Sequence, residues 1–115
     1  MTEKGKVVEG RLEDAFIPVA TVSELSPGTG KVVAVRGREV GLFNSEGEIH
    51  AIENVCPHNR RPIGTMGFDG NFVTCLWHGL KFNLSTGTCV DAPHYQVRKY
   101  PVKVRDGKIF VALSE

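Results

Sequence analysis

Only 3 cysteines, 2 tyrosines, 2 methionines and 1 tryptophan occur among the 115 residues. An odd number of cysteines cannot form a complete disulfide framework, and in a cytosolic protein sparse cysteine points to metal or redox chemistry. Charge of one sign is also missing. Fourteen basic residues face thirteen acidic ones, for a formal net charge of +1, which is unlike a protein that holds nucleic acid through a basic face. No basic run interleaved with aromatic residues is present. The apolar runs, Val32 to Val35 among them, fall far short of the roughly 20 residues that cross a bilayer, and the opening MTEKGKVVEG lacks the apolar stretch of a secretory signal. The expected location is the cytoplasm, with neither nucleic acid nor membrane as partner. A chain of this length buries one compact core and leaves no room for a large internal cleft.

Glycine, by contrast, is plentiful: 13 residues, spread along the chain instead of pooled in a linker, imply many tight turns. Residues 1–14 are charged and aperiodic and read as an N-terminal extension. Residues 15–115 read as a single all-β domain, because short apolar runs recur about every ten residues between glycine, asparagine and aspartate, the pattern of an antiparallel sandwich or barrel. The expected strands are Phe16 to Val19, Lys31 to Val35, Glu39 to Phe43, Glu48 to Ile52, Phe72 to Thr74, Leu80 to Asn83, Tyr100 to Val104 and Ile109 to Leu113. Val22 to Leu25 is expected to make one helical turn before Pro27 and Gly28. Asp106-Gly107 and Asp69-Gly70 are expected hairpin turns, with further reversals at Arg36 to Arg38 and Asn44 to Gly47. One stretch resists a strand assignment: Asn54 to Met66, with two prolines and two arginines, reads as a long loop, and such loops are usually functional.

That loop opens with Cys56-x-His58, and a second pair, Cys75-x-x-His78, follows after 16 intervening residues. A buried thiol or a hydrogen-bonded core histidine explains one such residue, but with 3 cysteines and 4 histidines in the chain two chance pairings at loops beside strand ends is a poor account of four.

The pattern resembles the Rieske iron-sulfur family, whose two loops carry C-x-H and C-x-x-H at similar separation. The resemblance continues through Gly67, the Trp77-His78-Gly79 run, Phe82-Asn83, Thr86-Gly87 and Ala92-Pro93, and spans about Phe16 to Leu113. It implies a small antiparallel β-sandwich or barrel with a cluster-binding subdomain made by two loops, about 54–66 and 75–83, and a covering loop about 87–95. It further implies one [2Fe-2S] cluster, with Cys56 and Cys75 on one iron and His58 and His78 on the other. Trp77, Gly79 and Pro93 would surround it, Trp77 either shielding the cluster or filling core.

Mixed ligation matters through charge. Two ferric ions carry six positive charges, two sulfides and two thiolates remove six, and neutral imidazoles add none; four thiolates would leave the site doubly negative. Adding an electron to the neutral site is easier, which is why Rieske potentials lie between about −150 and +300 mV against about −400 mV for plant-type ferredoxins. High-potential members also carry a disulfide, a serine and a tyrosine near the cluster. The matching positions here are Arg61, Trp77, Leu80 and Phe82, which supply neither disulfide nor hydroxyl, so the expected potential is near −150 mV.

Other residues carry weaker expectations. Cys89 is expected to be a thiol in the core or near the cluster. His50 is expected to be exposed, because Ile49 and Ala51 alternate against it, and His94 to be solvated. Arg60 and Arg61 depart from the family's C-P-H-x-G and form either a solvated loop or a basic rim that meets an acidic patch on a redox partner.

The function implied is a soluble one-electron carrier, not itself an enzyme, that passes electrons from a ferredoxin reductase to a terminal oxygenase of an aromatic-ring-hydroxylating dioxygenase system. The alternative of the same cofactor class is the small subunit of an NAD(P)H-dependent nitrite reductase, bound to its large subunit and similar in Ala51-Ile52-Glu53-Asn54. A zinc-binding interaction module is a third, remote reading, since C-x-x-C spacing is absent.

Overall fold

A computed structural model describes residues 16–58, 60–75 and 79–113. The N-terminal extension, Trp77 and His78 lie outside the described residues. Ten strands follow in order: β1 (Phe16–Thr21), β2 (Gly30–Val35), β3 (Arg38–Ser45), β4 (Glu48–Glu53), β5 (Phe68–Asp69), β6 (Phe72–Thr74), β7 (Lys81–Asn83), β8 (Lys99–Tyr100), β9 (Val102–Arg105) and β10 (Lys108–Ala112). They form three antiparallel sheets, ordered β1-β10-β9, β2-β3-β4-β8 and β5-β6-β7. The expected helical turn is a single 3-10 turn, Val22–Glu24, opened by a capping box between Thr21 and Glu24.

Three hairpins close on an X-Gly pair with both residues at positive φ: Arg36-Gly37 (51° and 81°), Glu46-Gly47 (52° and 98°) and Asp106-Gly107 (53° and 76°). This mirror-image turn matches the right-handed twist of paired strands, and glycine at its second position adopts the required φ without steric cost. The expected Asp69-Gly70 turn is displaced by one residue. Asp69 pairs with Phe72 as the last residue of β5, so Gly70 (φ 65°) and Asn71 make the reversal. The expected strand Tyr100 to Val104 is broken at Pro101, which has no N–H to give a ladder. Tyr100 pairs with Ala51 in one sheet and Val102 with Val111 in another, so the chain changes sheet at the proline.

The sheet β2-β3-β4-β8 is a wall with a core on each side. Val40, Leu42 and Ala51 pack with Leu25, Tyr100, Ile109 and Val111 on one face. Phe43 and Ile52 point the other way, into a core completed by Ile63, Val73, Phe82, Leu84, Val97 and all three cysteines. His50 therefore corrects its expectation. It does alternate against Ile49 and Ala51, but its side of β4 is covered by this second core, and it is 5% exposed.

Candidate cluster site

The site is built beside the short sheet from two loops, one running from β4 to β5 and the other from β6 to β7. The first leaves β4 at Asn54, whose backbone N–H donates to the Glu39 carbonyl and whose buried side chain does the rest of the anchoring. Asn54 Oδ1 accepts the N–H groups of Ile63 and Gly64 at 3.1 and 2.8 Å, while its Nδ2 donates to Glu39 Oε1 at 3.0 Å. Ile63 is thereby held 2% exposed against the core under the loop. The second loop leaves β6. There Thr74 N–H donates to the Gly67 carbonyl, and a Cβ on Gly67 would collide with the Thr74 carbonyl, so glycine is required by close backbone approach.

Within these loops the two cysteines sit in the same hydrogen-bond frame. Cys56 N–H donates to the Arg61 carbonyl and Arg60 N–H to the Cys56 carbonyl, at 2.8 and 2.7 Å; Cys75 N–H donates to the Leu80 carbonyl and Gly79 N–H to the Cys75 carbonyl, both at 2.8 Å. The residue four places after each cysteine is left-handed: Arg60 at φ 62° and Gly79 at φ 74°. Gly79 takes this conformation freely, whereas a residue with a Cβ pays about 1 kcal/mol for it.

Cys56 and Cys75 are both fully buried and neither is in a disulfide. His58 is exposed. Its ring meets Tyr95 edge-on, at 85° and 5.5 Å between centroids, and the His94 ring lies 4.3 Å from that of Tyr95 at 38°. Tyr95 is fixed by the covering loop, which folds back on itself: Cys89 N–H donates to the Tyr95 carbonyl, Tyr95 N–H to Ala92 and Val97 N–H to Gly87. Cys89 is buried in the same core as the other two thiols, and Pro93, His94, Arg60, Arg61 and Gly79 are exposed.

Among the described residues no three His, Cys, Asp or Glu side chains converge on a single metal ion. A bridged pair of irons makes no such demand, because mixed ligation asks two protein donors of each metal. The donor chemistry fits that group: soft thiols suit iron-sulfur clusters, the two here are lined by apolar Ile63, Val73, Phe82 and Leu84, and a dry shell of this kind governs solvent access and potential.

The profile of the Rieske [2Fe-2S] domain matches residues 15–101. This chain belongs to the Rieske family. Its cofactor is a Rieske-type [2Fe-2S] cluster, and its all-β antiparallel architecture is that of Rieske ferredoxins. The ferredoxin component of the naphthalene 1,2-dioxygenase system from Pseudomonas putida is 31% identical over 100 residues, covering 86% of this chain and 96% of that one. The ferredoxin of carbazole 1,9a-dioxygenase from Nocardioides aromaticivorans IC177 has a TM-score of 0.76 at 29% identity, over 86% of this chain and 98% of that one. A chain in the complex of reduced oxygenase and oxidised ferredoxin of carbazole 1,9a-dioxygenase gives a TM-score of 0.76 at 27% identity, over 85% of this chain and 93% of that one.

Two contributors to the Rieske site escaped sequence reasoning. Asn54 is legible only as the first residue of the long loop, and its anchoring role is not; an asparagine followed by a loop with an isolated isoleucine nine places on is the available signal. Tyr95 falls within the expected covering loop, 87–95, but nothing in the chain order says that its ring meets His58.

Proposed function

We propose that the chain is a low-potential one-electron carrier in which Cys56 and Cys75 bind one iron and His58 and His78 the other, serving between a ferredoxin reductase and a terminal oxygenase of the aromatic-ring-hydroxylating kind. The observation that carries the ligand assignment is the shared frame around Cys56 and Cys75: two loops from different strands fix two buried thiols in the same local geometry. The bound cluster supplies a reversible one-electron couple. The chain's own residues do the rest. The loop frames hold the thiols in place, the apolar core excludes water from them, and Tyr95 braces the exposed His58, whose outer edge is the exit toward a docked protein. Nothing in the described residues adds a hydroxyl near the thiols at Leu80 or at the fully buried Phe82, which supports a potential at the low end of the Rieske range. The oxygenase as recipient is supported by the likeness to dioxygenase ferredoxins over nearly their whole length.

Anaerobically purified protein should contain about two irons and two acid-labile sulfides per chain, be brown, give a rhombic spin resonance signal when reduced, and titrate near −150 mV. Colourless, iron-free protein would refute the assignment, and a midpoint above about +100 mV would refute the low-potential reading. Constant co-purification with a flavin and sirohaem subunit would place the chain with nitrite reductase instead.

A further inference from the structure

The two cysteine loops share a frame but differ at its left-handed position, glycine in one and Arg60 in the other. A side chain retained where the backbone favours glycine is a reason to ask what that side chain does. Arg60 lines an open groove of about 410 Å³, together with Glu53, Pro57, Gln96 and Arg98, and this groove runs beside the Cys56-Pro57-His58 segment. Its single carboxylate, Glu53, lies 3.8 Å from Arg98 Nε. Two guanidinium groups thus face one carboxylate, and among the described residues Arg60 has no counter-charge of its own. Arg61, the other arginine of the loop, does not line the groove; its carbonyl is bound to Cys56 N–H.

We propose that this groove receives a carboxylate-bearing segment of the protein that exchanges electrons with the chain, with Arg60 as its anion contact and the Gln96 side-chain amide as a second donor. Guanidinium suits this role because its planar fork of donors matches a carboxylate in two parallel hydrogen bonds. Placing the contact beside the first cysteine loop also steers an acidic partner toward the His58 side of the molecule. The proposal rests on the electron-carrier reading and narrows it to one surface and one side chain.

The test uses the cluster-loaded protein, isotope-labelled, with acetylated tetraglutamate as probe and tetralysine as control, followed by magnetic resonance of the Gln96 side-chain amide at several salt concentrations. Tetraglutamate is expected to shift this amide saturably, and tetralysine is expected not to. Arg60→Gly should weaken the peptide at least fivefold and flatten its salt dependence, while Arg61→Gly changes affinity less than twofold. The thermal midpoint and cluster spectrum of Arg60→Gly should equal or exceed those of the parent, since glycine relieves the backbone. Undiminished peptide binding by Arg60→Gly, or a loss confined to Arg61→Gly, would overturn the proposal. Protein without a cluster would sink the electron-carrier reading on its own, because the Gln96 titration still reports on the groove.

Discussion

The two faces of the β2-β3-β4-β8 wall are covered by different means. On one face most of the core comes from strands: Val40, Leu42, Ala51, Tyr100, Ile109 and Val111 are each set by a ladder of backbone pairs. On the other, only Phe43 and Ile52 come from the long strands, and Cys56, Ile63, Cys75, Leu84, Cys89 and Val97 arrive on loops or just beyond short strands. Polar side chains supplement the short β5-β6-β7 ladder there. Asn54 holds the first loop, Asn71 Nδ2 donates to Ser85 Oγ and Asn83 Oδ1, and Lys99 Nζ reaches from β8 to the Leu84 carbonyl at 2.6 Å. The difference teaches why the two loop thiols sit where they do: a loop can bring a thiol to a chosen point that a regular strand cannot reach, but side-chain hydrogen bonds and, when bound, the cluster must then supply the order.

That contrast can be broken most severely by unloading the cluster, since metal binding is coupled to the order of the residues that hold it. After iron removal, hydrogen exchange at the β6 and β7 amides should accelerate by orders of magnitude while β3, β9 and β10 stay protected. Equal loss of protection on both faces would mean that the halves do not differ in this way. Leu42→Ala, which empties a fully buried site in the strand-built core, should lower stability by about 2–5 kcal/mol in urea titrations. Its effect on the cluster spectrum of the surviving folded protein should be slight. Asn54→Ala leaves the buried N–H of Ile63 and the half-buried N–H of Gly64 without their acceptor, a penalty of about 1–3 kcal/mol. It falls on the loop, so the rate of cluster loss should rise more than the thermal midpoint drops.

The smallest effect is expected from His50. Burial, and then the nearby positive charge of Lys99, hold its pKa below the usual histidine value, with Glu48 opposing. Lys99 Nζ lies 3.4 Å from Nδ1 and Glu48 Oε1 lies 3.8 Å from Nε2. The native state thus binds fewer protons here than the unfolded chain. Its contribution to stability is complete above the unfolded value of about 6.5 and is lost as pH falls from there toward the lower folded value. Thermal midpoints measured from pH 7.5 to 5.5 should fall less steeply in His50→Gln than in the parent; matching slopes would remove His50 from the account.

Much of this was legible in the chain. Alternation located the long strands, and X-Gly pairs located three of the turns, because both follow from local sterics. The cysteine-histidine spacing marked the candidate donors, because few other uses need those residues at those offsets. What stayed hidden depends on contacts between distant segments. β5 is two residues long and exists through its pairing with β6. Pro101 divides one apolar run between two sheets, which no periodicity reveals. His50 looked exposed because a polar residue in an alternating strand normally faces water, and only the docking of the loop-built half covers it. Arg60's left-handed backbone is hidden for a related reason: an arginine carries no turn signal, and the conformation is imposed by the Cys56 frame.

Strand β4 has one more consequence. Ile49 and Ala51 belong to one half of the molecule and His50 and Ile52 to the other, so residues joined by a peptide bond look out on separate environments. Isotope probes at successive positions of this one strand give a built-in control: even numbers register events around the metal pair, and odd numbers, 3.3 Å or so further along, tell whether the rest of the protein noticed.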